Sequence, residues 1–108
     1  MNILFVCSRN KWRSRTAAEI FRNNGRHQIK SAGTEKSARI RLTQNMVNWA
    51  ELIYVMETKH KKKLLDKFRV NQTKKSIEIL DIPDDYKYMD EELVEILRIK
   101  LNEFFSNE

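Results

Sequence analysis

A single cysteine, Cys7, stands at the junction of two sequence patterns. Before it runs an unbroken apolar stretch, Ile3-Leu4-Phe5-Val6. After it, Thr16-Ala17-Ala18-Glu19-Ile20-Phe21 carries its apolar residues at helical spacing. A strand that is apolar on both faces must be covered on both sides. That requirement already favours a layered α/β fold in which the cysteine ends a core strand and a helix begins soon after it.

The junction itself reads Cys7-Ser8-Arg9-Asn10-Lys11-Trp12-Arg13-Ser14, a Cys-x5-Arg-Ser spacing. A loop wrapped over a helix N-terminus aims successive backbone N–H groups at one spot, and the helix dipole adds positive potential there. Such a cup holds phosphate, and the same field favours a thiolate over a thiol. Arg13 supplies a planar cationic fork for two phosphate oxygens. Ser14 is placed to hydrogen-bond the sulfur, and Asn10 tolerates the left-handed backbone that a tight loop needs. The chemistry implied is phosphoryl transfer to sulfur followed by hydrolysis of a cysteinyl-phosphate. The plain alternative is a small apolar side chain ending a core strand.

The chain has 108 residues, enough for one small domain over 1–108. No apolar stretch approaches the roughly 20 residues of a membrane span. The N-terminus carries no basic region of the kind that opens a secretion signal. One cysteine cannot form an internal disulfide, so a cytoplasmic protein is expected. No group of His, Cys and carboxylate residues has ligand spacing, so neither metal nor cofactor is expected.

The net charge of +6 is unevenly placed. Residues 1–75 hold 18 Lys and Arg against 5 Asp and Glu, whereas residues 76–108 hold 3 against 10. The basic part favours anionic substrates through long-range attraction. No nucleic-acid-binding module is visible, so nucleic acid is not the expected partner.

Four strands alternate with four helices along the chain. The strands are expected over 2–6, 27–32, 51–56 and 76–80, and the helices over 14–24, from Leu42-Thr43, over 58–68 and over 90–105. Gly25 is read as a left-handed helix stop and Thr43 as an N-cap. His27 is read as an exposed strand residue, and His60-Lys61-Lys62-Lys63 as a solvated helix face. Residues 35–41 carry no clear signal. The alternation predicts a three-layer α/β domain with a four-stranded parallel sheet flanked by helices. Ligands of such sheets bind beyond the carboxyl ends of the strands. Cys7, Gly33, Glu57 and Asp84 all follow strands, so that edge gathers them. The reaction also needs a proton for the leaving oxygen. Asp81, Asp84 and Asp85, in a turn shared with Tyr86, and the acids of the last helix are the candidates.

Taken together, these residues resemble the low-molecular-weight protein tyrosine phosphatases. Cys7, Asn10, Arg13 and Ser14 match that family's opening loop. Ser31-Ala32-Gly33-Thr34, Ala38-Arg39 with Leu42-Thr43, Ala50 to Glu57, and Ile82 to Tyr86 match its later landmarks in order. The resemblance implies the sheet order 2-1-3-4, a nucleophile at Cys7, a phosphate clamp at Arg13 and a general acid at Asp84. Ser8, Arg9, Asn10, Lys11, Trp12, Ser14 and Tyr86 would bind the substrate, with Tyr86 stacking on its ring. Asn10, Ser14 and Ser31 would support the loop. The implied partners are a phosphorylated protein or small aryl phosphate, or another oxyanion in the loop. Three departures stand out. Asp85 replaces a proline after the acid. Trp12 stands where some members carry a second cysteine. The stretch between Gly33 and Arg39 is shortened. A thiol-dependent arsenate reductase and a non-catalytic phosphate or nucleic-acid binder remain the alternative readings.

Overall fold

The computed structural model describes residues 1–106. Its elements are β1 (Asn2–Cys7), α1 (Arg13–Phe21), β2 (Gln28–Gly33), α2 (Gln44–Trp49), β3 (Leu52–Val55), α3 (Thr58–Lys67), β4 (Ser76–Ile79) and α4 (Glu91–Ser106). All strand pairs are parallel, in the expected order β2-β1-β3-β4.

β1 is central because every residue from Ile3 to Cys7 is buried. Its side chains alternate between two cores, as a pleated strand requires. Ile3, Phe5 and Cys7 face a core shared with Phe21 of α1 and with Leu93 and Leu97 of α4. Leu4 and Val6 face the other core, shared with Val47 of α2 and Leu64 of α3. The alternation along β1 therefore decides which helices cover which face. It also leaves Cys7 at the carboxyl edge on the α1 side.

The second helix starts as its sequence suggests: the Thr43 side chain accepts a hydrogen bond from the Met46 N–H at 3.2 Å. Elsewhere the boundaries move. α1 ends at Phe21 with Arg22 still right-handed, and Gly25 does not take a positive φ. Asn24 makes the exit instead: its side chain accepts from the Arg26 N–H and its carbonyl from the His27 N–H. An Asx-type turn thus replaces the left-handed glycine cap. His27 precedes β2 and lies half-buried, stacked on Phe104 with its edge to Phe105. Its ring is held by a long-range aromatic cluster rather than displayed on a strand.

The segment after β4 keeps its register with β3 through a left-handed residue. Leu80 and Ile82 donate to the carbonyls of Val55 and Met56, each at 2.8 Å, and Asp81 between them has φ 56°. The turn beyond is pinned to α1, where the Thr16 hydroxyl accepts from the Met89 N–H at 2.9 Å. These ties carry the acidic turn across the carboxyl edge of the sheet, over Cys7. No helix among the described residues is long and apolar enough to cross a membrane.

Candidate active site

The loop from Cys7 to Arg13 is shaped from outside by residues 34–39. The N–H groups of Thr34, Glu35 and Arg39 donate to the carbonyls of Cys7, Ser8 and Arg9, each at 2.9 Å. The Arg39 Nε donates to the Asn10 carbonyl at 3.0 Å. Four successive loop carbonyls are thereby committed outward, which leaves the loop N–H groups for the concave side. This contact requires Gly33. A Cβ there would lie 2.5 Å from the Ser8 carbonyl oxygen and 2.6 Å from the Ala38 Cβ. The stretch that carried no clear signal in the sequence is thus the brace of the loop.

Inside the loop, three hydrogen bonds surround the thiol. Asn10 is left-handed, with φ 57°, and fully buried. Its N–H donates to the Cys7 Sγ at 3.3 Å, and its Nδ2 donates to the Ser14 Oγ at 2.7 Å. Ser14 Oγ lies 2.9 Å from the Sγ and 3.4 Å from the Ala32 carbonyl. Because Ser14 already accepts from Asn10, its own proton has two acceptors, the sulfur and Ala32. Turning that O–H bond from Ala32 to Sγ changes a network that fits a thiol into one that fits a thiolate.

Arg13, at the start of α1, is 2 % exposed. Its Nη1 donates to the Glu57 carboxylate and to the Ile82 carbonyl, the latter at 2.8 Å. Its Nε lies 3.6 Å from Asp84 Oδ1. Burial pushes the Glu57 carboxyl upward, but the Arg13 hydrogen bond and charge, with Lys59 and His60 adding to them, hold it below the ordinary carboxylate range. The guanidinium is therefore fixed from behind, with its Nε edge toward Asp84.

A pocket of ≈ 80 Å³ opens at this point, lined by Cys7, Ser8, Arg9, Lys11, Trp12, Arg13 and Asp84. Trp12 forms an aromatic wall and is 40 % exposed. Arg9 is paired with Glu35 at 3.1 Å. Three expected site residues sit elsewhere. Asn10 and Ser14 are fully buried behind the loop, so they support it without lining the pocket. Tyr86 packs against the core cluster under α1 and α4, where its ring gains apolar burial, and Trp12 takes the wall instead. Ser31 is buried on β2 opposite Phe5, and the Ser14 hydroxyl reaches the neighbouring Ala32 carbonyl. Asp84 lines the pocket; Asp85 is exposed and does not.

Two further residues belong to the site. Glu57, placed by sequence only at the strand edge, anchors Arg13. His60, hidden at the head of a lysine run, is fully buried. Its Nδ1 accepts from the Glu57 N–H at 3.0 Å, and its Nε2 lies 2.8 Å from the Ser8 Oγ. The local signal was Glu57-x-x-His60 at a helix start, where the third helical residue reaches back to the cap N–H. No three His, Cys, Asp or Glu side chains among the described residues are grouped to hold a metal ion.

The protein is an α/β fold whose parallel sheet carries a cysteine loop at its carboxyl edge, wrapped over a helix N-terminus and backed by a buried arginine. No protein-family model and no curated protein sequence matches the chain. The match is to solved structures, and it is to the fold of the low-molecular-weight protein tyrosine phosphatases. The Vibrio cholerae O395 low-molecular-weight phosphotyrosine phosphatase VcLMWPTP-2 superposes with a TM-score of 0.76 at 20% identity, over 99% of this chain and 97% of that one. The tyrosine phosphatase Wzb of Escherichia coli K30, solved with phosphate, gives 0.78 at 19% identity, over 97% and 96%. The YwlE arginine phosphatase, solved as a Cys-to-Ser mutant with its active-site serine phosphorylated, gives 0.74 at 20% identity, over 100% and 97%.

Proposed function

We propose that this protein is a cysteine-dependent phosphoric monoester hydrolase, acting on phosphotyrosine or a related aryl phosphate through a cysteinyl-phosphate. The observation that carries this reading is the Cys7 Sγ, held by Ser14 Oγ at 2.9 Å and the Asn10 N–H at 3.3 Å in one pocket with Arg13 and Asp84. The phosphate and benzylphosphonate complexes of the two Wzb proteins support an oxyanion in the equivalent loop.

In the first step the Cys7 thiolate attacks phosphorus in line with the ester oxygen. The P–O bond breaks, and Asp84, at the pocket mouth, gives its proton to the departing oxygen. Arg13 and the loop N–H groups hold the other phosphoryl oxygens. In the second step water attacks phosphorus, Asp84 takes its proton, and the S–P bond breaks to return the thiolate. Trp12 offers a face to an aromatic leaving group, which favours aryl over alkyl esters. A thiolate nucleophile needs a reducing compartment, so the reading puts residues 1–108 to work as one cytoplasmic domain.

The test is to quench a rapid reaction with an aryl phosphate in acid and map the phosphoryl group by mass spectrometry. A phosphoryl mass on the Cys7 peptide, enriched in Asp84→Asn, is the expected result. Turnover with no phosphoryl on Cys7 would sink the mechanism.

A further inference from the structure

We propose that His60 is a positioning residue that aims the Ser8 hydroxyl proton into the pocket, making Ser8 a side-chain donor to a phosphoryl oxygen held over Cys7. The inference deepens the reading above and rests on an oxyanion occupying this loop.

The Glu57 backbone N–H can only donate, and it meets His60 Nδ1 at 3.0 Å. Nδ1 therefore carries its lone pair, and the proton of the neutral ring sits on Nε2. Burial, and then the charge of Arg13, hold the ring's pKa at about 4, so the neutral form persists in ordinary buffers. Nε2 then donates across 2.8 Å to the Ser8 Oγ. A serine hydroxyl that accepts from a ring N–H keeps its single proton for another acceptor. Among the described residues Ser8 Oγ has no second partner, and Ser8 lines the pocket with Cys7 and Arg13. Its carbonyl is already committed, accepting from the Glu35 N–H at 2.9 Å. The hydroxyl proton is thus left facing the space in which an oxyanion would sit.

The arrangement reaches across the fold. Glu57 heads α3 and grips Arg13 with its carboxylate, while its N–H sets the His60 ring that grips Ser8. One helix start thereby orders a donor on each side of Cys7. A residue that only plugged the core would need neither ring nitrogen.

Two near-isosteric substitutions separate these roles. In His60→Asn the amide oxygen falls near the place of Nδ1 and keeps the Glu57 bond, but the side chain stops short of Ser8. In His60→Gln the amide nitrogen falls near the place of Nε2 and keeps the Ser8 bond. The probe is inorganic phosphate, titrated calorimetrically without turnover, against wild type, His60→Asn, His60→Gln, Ser8→Ala and the His60→Asn/Ser8→Ala double variant. Loss of one hydrogen bond to an anion should weaken phosphate binding about tenfold in His60→Asn and in Ser8→Ala. The double variant should be no weaker than Ser8→Ala alone. His60→Gln should stay within about threefold of wild type, by the same count of hydrogen bonds. Nitrogen NMR of the wild type should show Nε2 protonated.

Wild-type phosphate affinity in His60→Asn, equal losses in the Asn and Gln variants, additive losses in the double variant, protonated Nδ1, or no phosphate binding by the wild type would each overturn the proposal. Phosphate binding that follows the expected pattern in a protein with no hydrolytic activity would leave it standing and discard the phosphatase reading.

Discussion

Arg13 Nη1 donates at once to the Glu57 carboxylate, 44 residues away in sequence, and to the Ile82 carbonyl. The bond to Glu57 joins the start of α1 to the start of α3. It also turns a long flexible side chain into a fixed part of the pocket wall. A guanidinium that is 2 % exposed is costly to bury without such partners.

Replacing one partner tests this directly. Glu57→Gln keeps an acceptor but removes the charge. Glu57 is partly exposed, so the loss is set below that of a fully buried pair, at about 1–3 kcal/mol. Urea unfolding at neutral pH checks it. Arg13→Lys keeps the charge but loses the planar fork, and kcat/KM on an aryl phosphate should fall by roughly 10²–10³.

Acidification should destabilise the fold, in two stages. His60 is held at about 4 against an ordinary value of 6.5. Between those values the unfolded chain binds the proton and the folded chain resists it, so stability falls as pH falls. The full shift is worth ~3 kcal/mol. Glu57, held below its ordinary value, stabilises the fold above that value and gives this up as pH falls further, through the folded-state value. Urea midpoints measured from pH 7 to pH 4.5 should decline, and His60→Gln should flatten the decline. A flat wild-type profile would show that His60 is not buried neutral.

Gly33→Ala should damage the loop rather than the sheet. The added methyl would meet the Ser8 carbonyl oxygen at 2.5 Å and the Arg9 carbonyl carbon at 2.9 Å, both backbone atoms that cannot swing aside. Overpacking of this kind costs about 1–3 kcal/mol. Phosphate affinity should fall with stability, and calorimetry with thermal unfolding measures both.

Cys7 is the only cysteine, and Trp12 stands beside Arg13 on the pocket wall. A sulfenic acid formed at Cys7 has no internal thiol to condense with. Peroxide should therefore carry it on to sulfinic and sulfonic acids, with activity that dithiothreitol does not restore. Phosphate in the pocket should slow the loss. Intact mass and recovery assays follow both.

Much of this site is legible where the signal is local. The Cys7-x5-Arg13 spacing between an apolar run and a helical pattern places the loop, the left-handed Asn10 and the sheet edge. Thr43 announces its helix. What escapes the sequence depends on contacts between distant segments. His60 reads as one of four polar residues in a row, because nothing local says that its ring points inward to Ser8. Arg39 lies in a stretch with no clear local signal, because its partner is the Asn10 carbonyl 29 residues earlier. Tyr86 leaves its expected place on the pocket wall because the choice between core and pocket is made by packing, not by spacing. Gly25 loses its expected cap to the side chain of Asn24, a competition between two turn formers within two residues.

Everything proposed for this site turns on Cys7 acting as the nucleophile of a phosphatase. The measurement closest to it is hydrolysis of para-nitrophenyl phosphate in EDTA, across pH, by wild type, Cys7→Ser and Asp84→Asn. With Cys7 as nucleophile and Asp84 as acid, the wild type turns over without metal, Cys7→Ser does not, and Asp84→Asn falls by about 10²–10⁴. Undiminished turnover by Cys7→Ser would contradict it.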